Sequence, residues 1–89
     1  MILNMEPCWA FINNTAKEQI YHVAEEVAEV VHALKFESRQ KLILEILDVI
    51  QSCITLLTIL GVEQKELDKH IADMKFKNDM RDYYRKAGD

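Results

Sequence analysis

Glu45 and Asp48 are the only charged residues between Leu42 and Leu60, a nineteen-residue run that holds thirteen apolar side chains. Three positions make nearly one helical turn, so both carboxylates project from the same face of an otherwise core-facing helix. A carboxylate withdrawn from water needs a cation: basic side chains, a bound metal, or both. A second acidic group comes earlier, at Glu25, Glu26 and Glu29. At about 100° per residue it falls opposite a stripe of Ile20, Val23, Val27, Val30, Val31 and Leu34. Acids on the polar side of an amphipathic helix ordinarily form a solvated face. These are close enough to repel one another, and Lys35 lies too far along the helix to offset Glu25 or Glu26. Together the two groups read E-x-x-E at Glu26 and Glu29, then E-x-x-D at Glu45 and Asp48, with fifteen residues between. Two antiparallel helices joined by a short loop would bring the pairs face to face.

Four hard oxygen ligands, with no Cys and no His required, favour Mg²⁺, or Mn²⁺ in its place, over zinc. Magnesium keeps several waters and bridges phosphate oxygens, so it lets an acidic protein recruit a polyphosphate. The remaining phosphate charge calls for basic groups, and Lys75, Lys77 and Arg81 stand beside Asn78 within seven positions. Cations near a helix carboxyl end are also favourable for electrostatic reasons alone. Arg81 is the more telling, because it continues a seam of Leu67, Ile71, Met74 and Asn78 at four-three-four-three spacing. No Ser or Cys lies within the acidic motifs, and Cys53 has no evident activating partner, so no covalent intermediate is implied.

The elements that must position these groups are helices, in keeping with one Pro and two Gly in 89 residues. Thr15 and Glu18 form a T-x-x-E capping box that starts a helix over about Ala16 to Phe36. Ser38 caps a second helix over about Arg39 to Leu60, closed by Gly61. A third runs from near Glu63 to about Tyr84, and Glu6 and Pro7 start a short helical turn through Trp9 and Phe11. The expectation is one all-α domain over residues 1–89: an N-terminal segment 1–14, a core 15–84 and a tail 85–89. Its fold is an antiparallel bundle of three main helices plus the short N-terminal turn. At 49% apolar residues, such a short chain has more hydrophobic surface than it can cover alone, so oligomerisation is expected to complete the bundle as a homodimer or homotetramer.

The apolar second helix has the length of a membrane span. Glu45, Asp48, Gln51, Ser52, Thr55 and Thr58 count against that reading, and the first fourteen residues lack the basic and apolar regions of a leader. A soluble, cytoplasmic protein with no membrane partner is expected. Two cysteines, one inside an apolar helix, suit a reducing compartment. The net charge of −4 argues against binding nucleic-acid phosphates.

The segments QIYHVAEEVAEVVHAL at 19–34, ILEILDVIQSCITLL at 43–57 and KFKNDMRDYY at 75–84 resemble the MazG-like all-α nucleotide pyrophosphohydrolases. The likeness spans about four fifths of the chain, and three motifs in the right order are fairly specific. It implies that Glu26, Glu29, Glu45 and Asp48 are magnesium ligands and catalytic acids, with Glu25 auxiliary. Lys75, Lys77, Asn78, Arg81 and Tyr84 would contact substrate, and Gln19 would help line the base pocket. The implied reaction cleaves a nucleoside triphosphate, NTP or dNTP, between the α and β phosphates to give the monophosphate and pyrophosphate. A related phosphoribosyl-ATP pyrophosphohydrolase activity belongs to the same resemblance. Two departures stand out. Leu47 and Asp82 occupy positions where members commonly have glycine, before the second motif's aspartate and after the arginine.

Two rival readings exist. Glu29 and His32 form E-x-x-H, half of a di-iron carboxylate signature, but the second half is absent. His22, His32 and His70 are therefore read as surface or interface residues. The non-enzymatic rival is a helical oligomerisation or partner-binding module whose acids pair with Lys75, Lys77 and Arg81.

Overall fold

The computed structural model describes residues 4–87; residues 1–3 and 88–89, the outer ends of the expected N-terminal segment and tail, lie outside the described residues. A 3₁₀ turn at Trp9–Phe11 precedes three helices, α1 (Ala16–Phe36), α2 (Arg39–Ile59) and α3 (Gln64–Met80), and the described residues contain no strand. The all-α class and the short N-terminal turn are as the sequence predicts.

Local chemistry sets the helix ends. Thr15 Oγ1 accepts from the Glu18 N–H at 3.1 Å while Glu18 Oε1 accepts from the Thr15 N–H at 2.8 Å, completing the capping box. The hydrogen bond from the Thr15 backbone holds the Glu18 carboxyl below its ordinary range. Ser38 Oγ accepts from the Lys41 N–H at 3.1 Å and starts α2. Gly61, at φ 73°, stops it: its N–H bonds to Thr58 O at 3.0 Å and the Val62 N–H to Leu57 O at 3.1 Å. These are the paired bonds of a Schellman motif.

The same motif ends α3 at Met80, four residues before the sequence predicts. Asp82 sits at φ 60°, its N–H bonds to Asp79 O at 2.9 Å, and the Tyr83 N–H bonds to Asn78 O at 3.0 Å. Asp82 therefore holds a left-handed position, which Asp tolerates at a cost. Asp82→Gly is expected to stabilise the protein by about 0.5 kcal/mol, net of glycine's greater chain entropy. In a thermal melt that is an increase of roughly 2–4 °C.

α1 and α2 pack against each other, whereas α3 packs along neither. The start of α1 meets the second half of α2, where Gln19 Nε2 donates to Ser52 O at 3.1 Å, and Glu29 meets Glu45 nearer the connecting loop. The N-terminal segment covers the second half of α2: the Cys8 N–H donates to Thr55 Oγ1 at 2.9 Å, Gln51 Nε2 donates to Glu6 O at 3.2 Å, and Pro7 is buried. By length and composition α2 is the one helix among the described residues that could cross a membrane. Both cysteines are free thiols.

α1 turns only one edge of its apolar stripe, Val23 and Val30, to α2. The face it covers carries Gln19, His22, Val23, Glu26, Val30 and Ala33, with Gln19 and Ala33 the most deeply buried. Ile20, Val27, Val31 and Leu34 form an exposed strip about 100° round the helix. On α2, Ile43, Leu44, Ile46 and Leu47 are likewise uncovered, as are Met74, Phe76 and Met80 on α3. Among the described residues the buried hydrophobic side chains are Ala33 and Ile54. The accessible surface is 7114 Å², against about 5,400 Å² for a folded monomer of this mass. The radius of gyration is 15.4 Å, against about 12 Å for a compact domain of this length.

Candidate metal centre

The chemistry lies between α1 and α2. Glu26 and Glu29 stand one turn apart on α1 and reach Glu45 on α2, so that one carboxylate oxygen from each lies within 4.8 Å of the others. Oxygen ligands about a magnesium ion at 2.0–2.1 Å are spaced roughly 3–4 Å apart, so modest side-chain closure would suffice. Glu45 is 7% exposed, although it is a carboxylate on the most apolar helix.

Buried Glu45 and half-buried Glu26 each have one oxygen answered and one not, while Glu29 is exposed. Lys41, one turn before Glu45 on α2, places Nζ 2.8 Å from Glu45 Oε1. His22, one turn before Glu26 on α1, places Nε2 3.2 Å from Glu26 Oε1, and its ring leans on Phe11 with centroids 4.9 Å apart. With Glu29 ionised, Glu45 Oε2 and Glu26 Oε2 are both buried without a hydrogen-bond partner. Buried oxygens are rarely left so, and two of them in a ring of carboxylates suit a cation. The donor set, all carboxylate oxygen, fits Mg²⁺ or Mn²⁺.

Electrostatics separate the three acids. The hydrogen bond to Lys41 is the chief cause that holds Glu45 below the ordinary carboxylate range. Glu29 is pushed above it, first by a hydrogen bond shared with Glu45, in which a protonated Glu29 is the donor, and next by the charge of Glu26. A raised folded-state pKa means that the folded chain keeps a proton the unfolded chain has released. Glu29 therefore favours the folded state at low pH, and that contribution is lost as pH rises from the ordinary carboxylate value through its raised one. Glu45 has the opposite sign, its contribution being lost as pH falls through its depressed value. Glu29→Gln is accordingly expected to raise the neutral-pH thermal midpoint in EDTA and flatten its fall with rising pH, while weakening Mn²⁺ binding. Melts across the carboxylate range, with a Mn²⁺ titration, check both.

Not every sequence-predicted residue joins this group. Asp48 is exposed and lies outside the three-acid cluster, and exposed Glu25 does too. Gln19 is fully buried; its Nε2 donates to Ser52 O, and its Oε1 accepts from Asn14 Nδ2 at 3.1 Å. Its amide thus ties α1, α2 and the N-terminal segment together. Lys75 and Lys77 are exposed, Asn78 is half-buried, and Arg81 caps α3 with its guanidinium carbon 5.9 Å from the Tyr83 ring centroid. Tyr84 is exposed beyond the helix end. Because α3 packs along neither α1 nor α2, the fold does not bring these residues to the acids. Among the described residues, Lys75, Lys77 and Arg81 form no ion pair.

Sequence reasoning missed Lys41 and His22. The signal was present in both cases, a base four residues before an acid on the same helix face. Among known proteins, no family model, no curated protein and no solved structure matches this chain.

Proposed function

We propose that this chain is a MazG-like, magnesium-dependent nucleoside triphosphate pyrophosphohydrolase, acting on NTP or dNTP in the cytoplasm. The observation that carries the reading is Glu45: a carboxylate buried on an apolar helix, one oxygen without a partner, meeting Glu26 and Glu29. Glu26, Glu29 and Glu45 would hold the metal, and Asp48, one turn beyond Glu45, would join by changing rotamer. The ion would polarise the phosphate and acidify a bound water. One of these acids takes the water's proton as general base. Lys75, Lys77, Asn78, Arg81 and Tyr84 are the substrate contacts that the motif order suggests.

The working unit is a homodimer or homotetramer, in which paired antiparallel hairpins of α1 and α2 form the bundle. The surface excess over a compact monomer, on the order of 1,700 Å² per chain, is the area an obligate interface would remove. The exposed strip of Ile20, Val27, Val31 and Leu34 is where a second copy would sit. The same surface favours the rival reading of a helical oligomerisation module, in which the Lys41–Glu45 pair is structural.

Incubation with a panel of nucleoside triphosphates and phosphoribosyl-ATP, with and without Mg²⁺, separates the readings. Magnesium-dependent release of pyrophosphate is expected. Inactivity across the panel, with an intact oligomer, leaves the oligomerisation module.

A further inference from the structure

Lys41 is set where helix physics does not favour it. It occupies the third position of α2, inside the first turn, which carries no acid. At the equivalent place in α1 stands Glu18, the acid of the capping box. A cation there faces the positive end of the helix dipole, and a lysine four residues before a glutamate is the weaker orientation of that pair. Ser38 already caps α2 through the Lys41 backbone N–H, so the lysine side chain adds nothing to helix initiation. It nevertheless reaches Glu45 at 2.8 Å, while remaining half exposed itself.

Glu45 is the deepest member of the acidic cluster, and its second oxygen has no partner. Its single basic neighbour is therefore a cation on a flexible stem with a clear path to solvent. We propose that Lys41 is a built-in, displaceable counter-cation: it competes with a divalent ion for Glu45 and swings out when the ion enters, its charge then available to an anionic ligand at the mouth of the site. The inference rests on the metal reading above and adds a residue that lowers metal affinity by design. By keeping the empty cluster compensated, Lys41 lets three carboxylates share one site without a resident ion. Its stem also sets a threshold below which the site stays metal-free.

Mn²⁺ binding by the full-length protein without nucleotide, followed by electron paramagnetic resonance, tests this. Lys41→Gln keeps the helix start intact, since Gln is a good third residue in a capped helix. It is expected to bind Mn²⁺ at least tenfold more tightly than wild type, whereas Lys41→Arg, which retains a cation, stays within about threefold of wild type. Equal or weaker binding by Lys41→Gln overturns the proposal and leaves the metal site standing. An absence of binding by wild type and both variants overturns the proposal together with the metal site. Binding by Lys41→Gln alone supports it in its strongest form, a site closed by its own lysine.

Discussion

Glu45→Gln is expected to abolish magnesium-dependent pyrophosphate release, by at least about a hundredfold in kcat/KM, the scale on which removing a group that stabilises transition-state charge acts. The substitution preserves shape and removes charge. It takes from the cluster its most buried acid, the one contributed by α2, and it releases Lys41 from its partner. The fold should survive, because a neutral amide of the same shape costs less at a 7% exposed position than a charge, and the half-exposed Lys41 it releases returns to water. Loss of turnover and of Mn²⁺ binding with an unchanged circular dichroism spectrum and elution volume is the expected result. Full activity would remove Glu45 from the chemistry, and a lost helical signal or a shifted elution volume would make the acids structural. Asp48→Asn is the informative companion. Asp48 lies outside the three-acid cluster, so a loss as deep as that of Glu45→Gln would mean that it moves inward when the site is filled.

The helix boundaries were legible because they are local. The Thr15 and Glu18 box, Ser38 and Gly61 each act within a few residues of themselves, and each does so as a sequence reader expects. α3 breaks the pattern at Asp82, since nothing about an aspartate announces a positive φ. The convergence of Glu26, Glu29 and Glu45 was legible from spacing alone. What the apolar strip of α1 packs against was not. Hydrophobic periodicity finds the apolar side of a helix but does not say which neighbour covers it, and here α2 covers a mixed face with Gln19, Val23, Glu26 and Ala33 and leaves Ile20, Val27, Val31 and Leu34 open. Gln19 shows the same limit, since a buried glutamine can recognise a ligand or lock three segments, and only coordinates show both ends of its amide in use.

Two inactive variants are expected to restore one another when mixed. The acids occupy the seam of α1 and α2, the bases lie on α3, and α3 packs along neither. Lys75, Lys77 and Arg81 are without acidic partners among the described residues, while the α1 strip and the outer side of α2 are uncovered. If a second copy covers that surface, its α3 can carry these cations to the first copy's acids, and a complete site takes residues from both chains. Glu45→Gln would then lose the acids of its own site yet still lend bases. A Lys77→Ala, Arg81→Ala double variant would do the reverse. Random exchange between two dimeric variants makes about half of the dimers mixed, each with one wild-type site, so roughly a quarter of wild-type activity should return. Co-expression or mild unfolding and refolding, followed by a pyrophosphate assay, measures it. No recovery, with mixed dimers confirmed by mass spectrometry, would place acids and bases in the same chain. α3 would then have to fold back along α2, so that Arg81 approaches Glu45 from within its own protomer.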